Sequence, residues 1–308
     1  MRTDALLLVL AAAAIHASWN ALTKRAQDQL AFLWSSVSLA TVVLLPVGWA
    51  WLPPDGVPRA AWPFLVASSA IHAVYFYVLG RAYGSGEFSL VYPIARGLGV
   101  ALVPVAALFV LDERPSPLGA LGVLLVVAGI VGINLSSAGL SSAGLSATGL
   151  GATGLGATGL GAAASSRRLM TAGTGWALVT GLSIAAYSLV DKAGVARLHP
   201  VPYIAILGVG MSLLLVPALV RRRAALAREW RTNWRAILVA STLNLTSYLL
   251  VLFAFRLSKA GYVVAAREIS IVLSVAIGRL WFGERRVGRR LAAATLVLAG
   301  VICVALAR

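Results

Sequence analysis

Apolar stretches of about 17 to 24 residues, separated by short polar breaks, run the length of this 308-residue chain. They do not alternate apolar with polar residues, so the two-residue period of a barrel strand is missing. A helix needs roughly 20 residues to cross the hydrocarbon core, and inside that core only helices and closed barrels satisfy their own backbone groups. Each stretch therefore predicts a transmembrane helix. In the first half these are Ala5–Thr23, Leu30–Leu52, Ala61–Ala82, Phe88–Leu111 and Pro117–Leu135. In the second they are Thr174–Val190, Val201–Val220, Ala236–Phe255, Tyr262–Phe282 and Leu291–Ala307. The pattern predicts an all-α membrane protein of about ten transmembrane helices.

The two groups of five spans read as copies of one another. Arg96 and Glu113 lie 17 residues apart, as do Arg267 and Glu284, which sets an offset of 171 between the copies and places Gly129 on Gly300. With small slips, SWNALTK (Ser18–Lys24) lies on AYSLVDK (Ala186–Lys192), and His72–Gly84 lies on Asn244–Arg256. An odd number of spans per copy starts the second copy on the opposite face, so the halves are expected to be two inverted five-helix repeats. The domains are then residues 1–135, a joining segment 136–173, and residues 174–308. Within the join, Ser136–Ala164 repeats SSAGL, SSAGL, SATGL, GATGL, GATGL. Regular glycine at every fifth position disfavours a helix, so this segment reads as a flexible linker.

Composition agrees with lipid as the main solvent. With 60% hydrophobic and 12% charged residues, the chain has too little polar surface to coat a soluble globule. The net charge of +16 would suggest nucleic acid in a soluble protein, but most of the 26 Lys and Arg sit in loops flanking spans, where anionic lipid supplies the counter-charge. Nucleic acid is accordingly not among the expected partners. Cys303 is the single cysteine, which excludes an intramolecular disulfide and a cysteine metal cluster. The first apolar run, Leu6–Ala17, is continued by Trp19, Asn20 and Lys24 and preceded only by Arg2, so it reads as a span rather than a cleaved leader.

Charge inside a span is expensive and calls for a reason. Arg96 and Arg267 both fall within predicted spans, where an arginine near the bilayer centre costs about 2.5 to 3.5 kcal/mol or more. Either they face an aqueous cavity and hold an anionic group with the guanidinium fork, or each pairs with a nearby carboxylate or snorkels to the interface. No acid lies in any first-half span, which favours the cavity for Arg96; Arg267 has Glu268 beside it. If Arg96 holds the anion, Arg96→Gln is expected to weaken the substrate and leave the protein folded. Tyr92 lies one turn before Arg96 on the same face, next to a bend at Pro93.

Three further groups share helix faces. His16, Trp19 and Asn20 form one stripe on the first span, matched by Tyr187 and Ser188 in the second copy. His72, Tyr75 and Phe76 match Asn244, Ser247 and Tyr248. These stripes are expected to line a substrate cavity at the pseudo-twofold axis, or else to glue helices through interhelical hydrogen bonds. The candidate substrate-binding set is Trp19, Asn20, His72, Tyr75, Tyr92, Arg96, Tyr187, Asn244, Tyr248 and Arg267. His16 and His72 are read mainly as neutral, satisfied side chains, with a proton relay as the other reading. Gly119, Gly122, Gly129 and Gly132 lie roughly on one side of span five, predicting close packing against span ten or a second copy of the chain. Glu113 and Glu284 read as loop or helix-start carboxylates.

The segments HASWNALTKRA (His16–Ala26), VYPIARGLGVALVPVAALFVLDERPSPLGALGVLLVVAGI (Val91–Ile130) and AREISIVLSVAIGRLWFGERR (Ala266–Arg286) resemble the EamA-type branch of the drug/metabolite transporter superfamily. The resemblance covers the chain apart from the linker. It departs at Asp112, where the family more often has glycine before the acid. It implies a multi-pass cell-membrane protein, an inner-membrane transporter in bacteria, with both termini cytoplasmic. Charge says otherwise: eight Lys and Arg flank spans on the face of the termini and fifteen on the opposite face, which by the positive-inside rule puts the termini outside. The acidic residue with which multidrug members bind cations in the first span is missing here.

No Ser-His-Asp set, metal-ligand spacing, Walker loop or dinucleotide turn is present, so neither an enzyme, an ATP-driven pump nor a cofactor has support. The function expected is secondary-active transport of a small metabolite, an organic anion or amino acid, by alternating access. The alternatives are a cation or multidrug exporter of the same fold and a non-transporting scaffold or receptor. Expected partners are the small-molecule substrate, the lipid bilayer, a coupling proton and a second protomer in a homodimer.

Overall fold

The computed structural model describes residues 1–85, 88–146, 172–273 and 288–307, with side chains at all of these except 21, 24, 82–94, 133–146, 172–174 and 288–291. Among the described residues the secondary structure is entirely helical. The helices are α1 (Thr3–Arg25), α2 (Gln29–Ala50), α3 (Trp62–Ser85), α4 (Phe88–Val110), α5 (Pro117–Ser146), α6 (Ala172–Val195), α7 (Pro200–Val220), α8 (Arg223–Leu257), α9 (Ala260–Arg267) and α10 (Gly288–Leu306). Among the described residues six helical segments are long and apolar enough to cross a membrane: Thr3–Asn20, Gln29–Ala50, Arg59–Arg81, Gly175–Val195, Pro200–Val220 and Arg223–Leu257. Shorter apolar segments occupy Ala95–Val110, Pro117–Gly132 and Ala292–Leu306.

Local chemistry explains where the helices start. Asp28 caps α2 by accepting the Ala31 N–H at 3.0 Å, and its other carboxylate oxygen takes Arg222 Nη1 at 2.7 Å. Pro117 opens α5, behind Ser116, whose hydroxyl accepts the Gly119 N–H at 3.4 Å. His199 caps α7, which begins at Pro200. Glu113 accepts the Ala260 N–H at 2.6 Å at the N-terminus of α9, the helix-start role expected for it. Glu284 lies outside the described residues. Asp112 has φ +50°, the left-handed region where glycine is least strained.

Three helices differ most from the expected spans. Helix α5 runs on through Ser146, eleven residues beyond Leu135, because the first SSAGL units offer Ser, Ala and Leu that continue a helix already formed. The rest of the low-complexity repeat lies outside the described residues. Helix α8 starts at Arg223 rather than Ala236 and kinks at Asn233, where φ is −120° and ψ 16°. Its first ten residues form a basic arm, anchored by the buried Glu229, which accepts the Asp28 N–H and Asn233 Nδ2, each at 2.7 Å. The ninth span is interrupted: α9 stops at Arg267, a tight turn follows at Glu268, and the chain is helical again over 269–273.

Large apolar side chains point outward around the bundle; Phe109 is 85% exposed and Leu124 66%. A water-soluble protein would hide such a belt, whereas hydrocarbon matches it. Exposed tryptophans mark its two ends, Trp49, Trp51 and Trp62 on one side and Trp230 and Trp234 on the other.

The strongest helix contacts recur when each helix is exchanged for its counterpart five places along. Helix α1 packs on α8 as α6 does on α3, α4 on α6 as α9 does on α1, and α2 on α8 as α7 does on α3. Helix α5 packs on α10, and α2 on α7, across the same relation. Gly122 and Gly300 meet here: a Cβ on Gly300 would lie 2.5 Å from the Gly122 carbonyl oxygen, and one on Gly129 would lie 2.8 Å from that of Ala293. Adding 171 to 122 and 129 gives 293 and 300, so this contact is the same one seen from either copy. Of the two partners expected for the glycine face of span five, α10 is the one found within the chain. Gly119 packs instead against the ring and hydroxyl of Tyr262.

Candidate functional site

Helices from both copies enclose a cleft with about 680 Å³ of empty space, counted out to its open mouth. Trp19, His72, Tyr75, Tyr187, Asn244, Tyr248 and Arg267 line it. Seven of the ten sequence-predicted site residues therefore meet at one place, contributed by α1, α3, α6, α8 and α9.

The helix stripes deliver them. On α1, His16 and Trp19 face the cleft, their rings edge to face at 4.9 Å. Asn20 does not: its Nδ2 donates to the His16 carbonyl at 3.0 Å, so it serves the helix backbone. The matched faces of α3 and α8 both contribute, with Tyr75, Phe76, Asn244, Ser247 and Tyr248 in the wall. Tyr187 stacks on His72 at 4.4 Å and stands edge-on to Tyr75 at 5.4 Å, which makes a continuous aromatic surface. Ser188, matched to Asn20 in the other copy, likewise turns back to its own helix, at the Ile184 carbonyl. Tyr92 lies outside the residues whose side chains are described.

The two arginines have different fates. Arg96 forms a two-pronged ion pair with Glu268, Nε to Oε2 at 3.1 Å and Nη2 to Oε1 at 2.5 Å, with both side chains buried. It is not part of the cleft lining. The expectation that Arg96 lacks a carboxylate counted acids only within its own repeat. Its partner comes from the other one, and Glu268 is thereby unavailable to its neighbour Arg267. Arg267, 7% exposed, lines the cleft and donates from Nη2 to His16 Nδ1 at 3.0 Å, while its buried Nε has no hydrogen-bond acceptor. Trp19 Nε1, on the same cleft, is a second buried donor without an acceptor. The two neighbouring side chains diverge, Glu268 to Arg96 on α4 and Arg267 to the cleft.

Sequence reading missed the carboxylate behind the wall. Asp191 is fully buried on α6 and accepts hydrogen bonds from Ser68, Tyr203 and Tyr248, with His72 Nε2 at 3.8 Å. The expected span ended at Val190, one residue short of Asp191. A buried acid in an apolar helix is itself a functional signal. Lys192 turns the other way, to Glu113 at 3.4 Å and to the Phe255 and Ser258 carbonyls. Among the described residues no group of three or more His, Cys, Asp or Glu side chains is gathered as a metal would need.

The profile of the EamA-like transporter family matches residues 3–135 and 171–306. The chain belongs to the EamA-like transporter family. The two matched segments are the two copies, so each copy is one EamA-like unit. A crystal structure of another protein superposes with a TM-score of 0.67, covering 99% of this chain and 97% of that one at 15% identity, a likeness of fold alone. Multidrug transporter PA4990 of Pseudomonas aeruginosa is 44% identical over 48 residues, which are 16% of this chain and 44% of that protein. Family and relative point to a membrane transporter rather than an enzyme.

Proposed function

We propose that this EamA-family protein is a secondary carrier for a small organic anion with an apolar or aromatic portion. In this reading ten spans form two inverted five-helix repeats in the cell membrane, and rocking of one repeat against the other exposes the cleft alternately to each side. The exchange symmetry of the helix packing supports the pseudo-twofold arrangement. Arg267 carries the functional argument. It is a buried cation lining the cleft, released from its neighbouring acid, with its Nε and Trp19 Nε1 both lacking acceptors. A carboxylate, phosphate or phosphonate group would supply those acceptors, and the rings of Tyr75, Tyr187 and Tyr248 would cover the apolar part. Arg96, bound to Glu268, is a structural residue in this reading.

A second reading keeps the fold and changes the cargo. The aromatic wall and the Asp191 carboxylate behind it favour an organic cation, and the P. aeruginosa relative is named a multidrug transporter. Proteoliposome counterflow separates the two, using labelled phenylphosphonate, phenylalanine and tetraphenylphosphonium. The anion reading expects exchange of the phosphonate, and a loss of about 10- to 100-fold in apparent affinity for Arg267→Gln, equivalent to about 1.5–3 kcal/mol for a charged hydrogen bond. Arg267→Lys recovers part of it, because a point charge does not reproduce the fork. Exchange of tetraphenylphosphonium alone, or normal phosphonate exchange by Arg267→Gln, would overturn the anion reading.

A further inference from the structure

The cluster around Asp191 brings a buried histidine nitrogen up to a buried carboxylate. Its carboxylate takes Ser68 and Tyr203 on Oδ1 and Tyr248 on Oδ2, all neutral hydroxyls. The fourth neighbour, His72 Nε2, stands 3.8 Å from Oδ2. Which form of His72 is present follows from its other nitrogen. Nδ1 lies 3.0 Å from the Ser68 carbonyl oxygen, which only accepts, and 3.1 Å from the Ser68 hydroxyl, whose proton is directed at Asp191. Nδ1 therefore carries the hydrogen. In the neutral ring Nε2 then presents a lone pair to a carboxylate, and each of these two acceptors lacks a donor from the other. One added proton turns that opposition into a buried ion pair.

We propose that the proton held between His72 Nε2 and Asp191 Oδ2 is the coupling ion of the carrier, taken up and released together with the anion. This rests on the carrier reading above. Every other ionisable group near His72 is engaged elsewhere or stays neutral. Tyr187 on α6 stacks on the ring, Tyr203 on α7 and Tyr248 on α8 donate to Asp191, and the cleft residues of α2 carry no charge. On α4, Arg96 is paired with Glu268. Across the cleft, Arg267 on α9 donates to His16 Nδ1 on α1, and a guanidinium cannot accept, so that nitrogen is held without a proton. This distinguishes the two intramembrane histidines: His16 positions Arg267, and His72 binds the proton.

The site also has a route to the cargo. His72 and Tyr248 belong both to the Asp191 cluster and to the cleft wall, so protonation changes the wall itself. A proton on His72 adds positive charge to the cleft that holds Arg267. Anion and proton then favour each other's binding reciprocally, which is the condition for moving in the same direction.

Full-length protein in nanodiscs, labelled with ¹⁵N-histidine, tests this, since the chain has only three histidines to assign. The expected result is a neutral-to-cationic transition of the His72 ring within about pH 5 to 8, with His16 neutral throughout. Asp191→Asn should abolish that transition or displace it by about one pH unit or more, and Tyr203→Phe, which removes one hydroxyl without touching the cleft, should displace it as well. His16→Gln should leave it in place. A His72 ring that stays neutral, or one whose transition ignores both Asp191→Asn and Tyr203→Phe, overturns the proposal; should Asp191→Asn not fold, Tyr203→Phe decides. Coupling is read separately in weakly buffered solution, where phenylphosphonate should draw about one proton per anion bound, and none in Asp191→Asn. Phosphonate binding without proton uptake overturns the coupling while the anion carrier stands. Absence of phosphonate binding defeats the anion reading instead, and the histidine spectra still decide whether the proton site exists.

Discussion

Replacing Arg96 with glutamine should damage the fold more than the transport site. The guanidinium meets Glu268 through two hydrogen bonds at 3.1 and 2.5 Å, and the side chains are only 5% and 2% exposed. Arg96→Gln leaves Glu268 buried without a counter-charge, and breaking a buried pair from one side costs about 3–5 kcal/mol. Typical total stabilities are about 5–15 kcal/mol, so a large share of the folded state's margin disappears. The glutamine amide can still donate one hydrogen bond, which keeps the loss toward the lower end of that range. Neutralising both partners removes the stranded charge: Arg96→Gln combined with Glu268→Gln should recover much of the loss, and replacing both with Met and Leu should come near wild type. Thermal unfolding of detergent-solubilised protein, followed by size-exclusion recovery, measures the series. Phenylphosphonate exchange by the fraction of Arg96→Gln that remains folded should show wild-type affinity. If Arg96→Gln unfolds at the wild-type temperature and loses phosphonate affinity, Arg96 is a substrate ligand and the assignment of roles to the two arginines is reversed.

Other outcomes follow from single contacts. Gly300→Val should destabilise the α5–α10 contact by about 1–3 kcal/mol, since a Cβ there would sit 2.5 Å from the Gly122 carbonyl, and thermal unfolding reads it directly. Asp112→Val should cost about 1–2 kcal/mol at φ +50° while Asp112→Gly is tolerated, a contrast measured by comparing the two variants' unfolding temperatures. Burial, and then the charge of Arg256, hold His199 below the ordinary histidine range, so the folded state favours the neutral ring that caps α7 and stacks on Trp51. Its contribution is therefore complete above about pH 6.5 and is lost as pH falls through the lower folded value. Unfolding temperature measured from pH 7.5 to about pH 5 should fall less in His199→Ala than in wild type, by the part this ring contributes.

Much of the site was legible because helical periodicity is a local property. Residues three and four apart share a face whatever surrounds them, so His16 with Trp19, His72 with Tyr75 and Asn244 with Tyr248 were grouped correctly before any packing was known. Asn20 and Ser188 satisfied the same spacing and still turned back to their own helices, because a short polar side chain can bond the carbonyl one turn earlier. Ion pairing was not legible. Arg96 and Glu268 are 172 residues apart in the chain, and only the packing of α4 against α9 brings them together. Asp191 was overlooked for a related reason: one residue decides whether a carboxylate at a span end meets water or three hydroxyls from three other helices.

Hydrophobic length, the matched Arg-to-Glu spacing and the paired stripes determined the solvent, the helical class and the internal repeat, because each depends only on spacing along the chain. Tertiary structure decided which charges neutralise one another. It broke the ninth span at Glu268, gave that acid to Arg96 and left Arg267 in the cleft. It also buried Asp191 among Ser68, His72, Tyr203 and Tyr248. In a low-dielectric interior a charge is set by neighbours within about 4 Å, and which residues become neighbours is a property of the packed bundle.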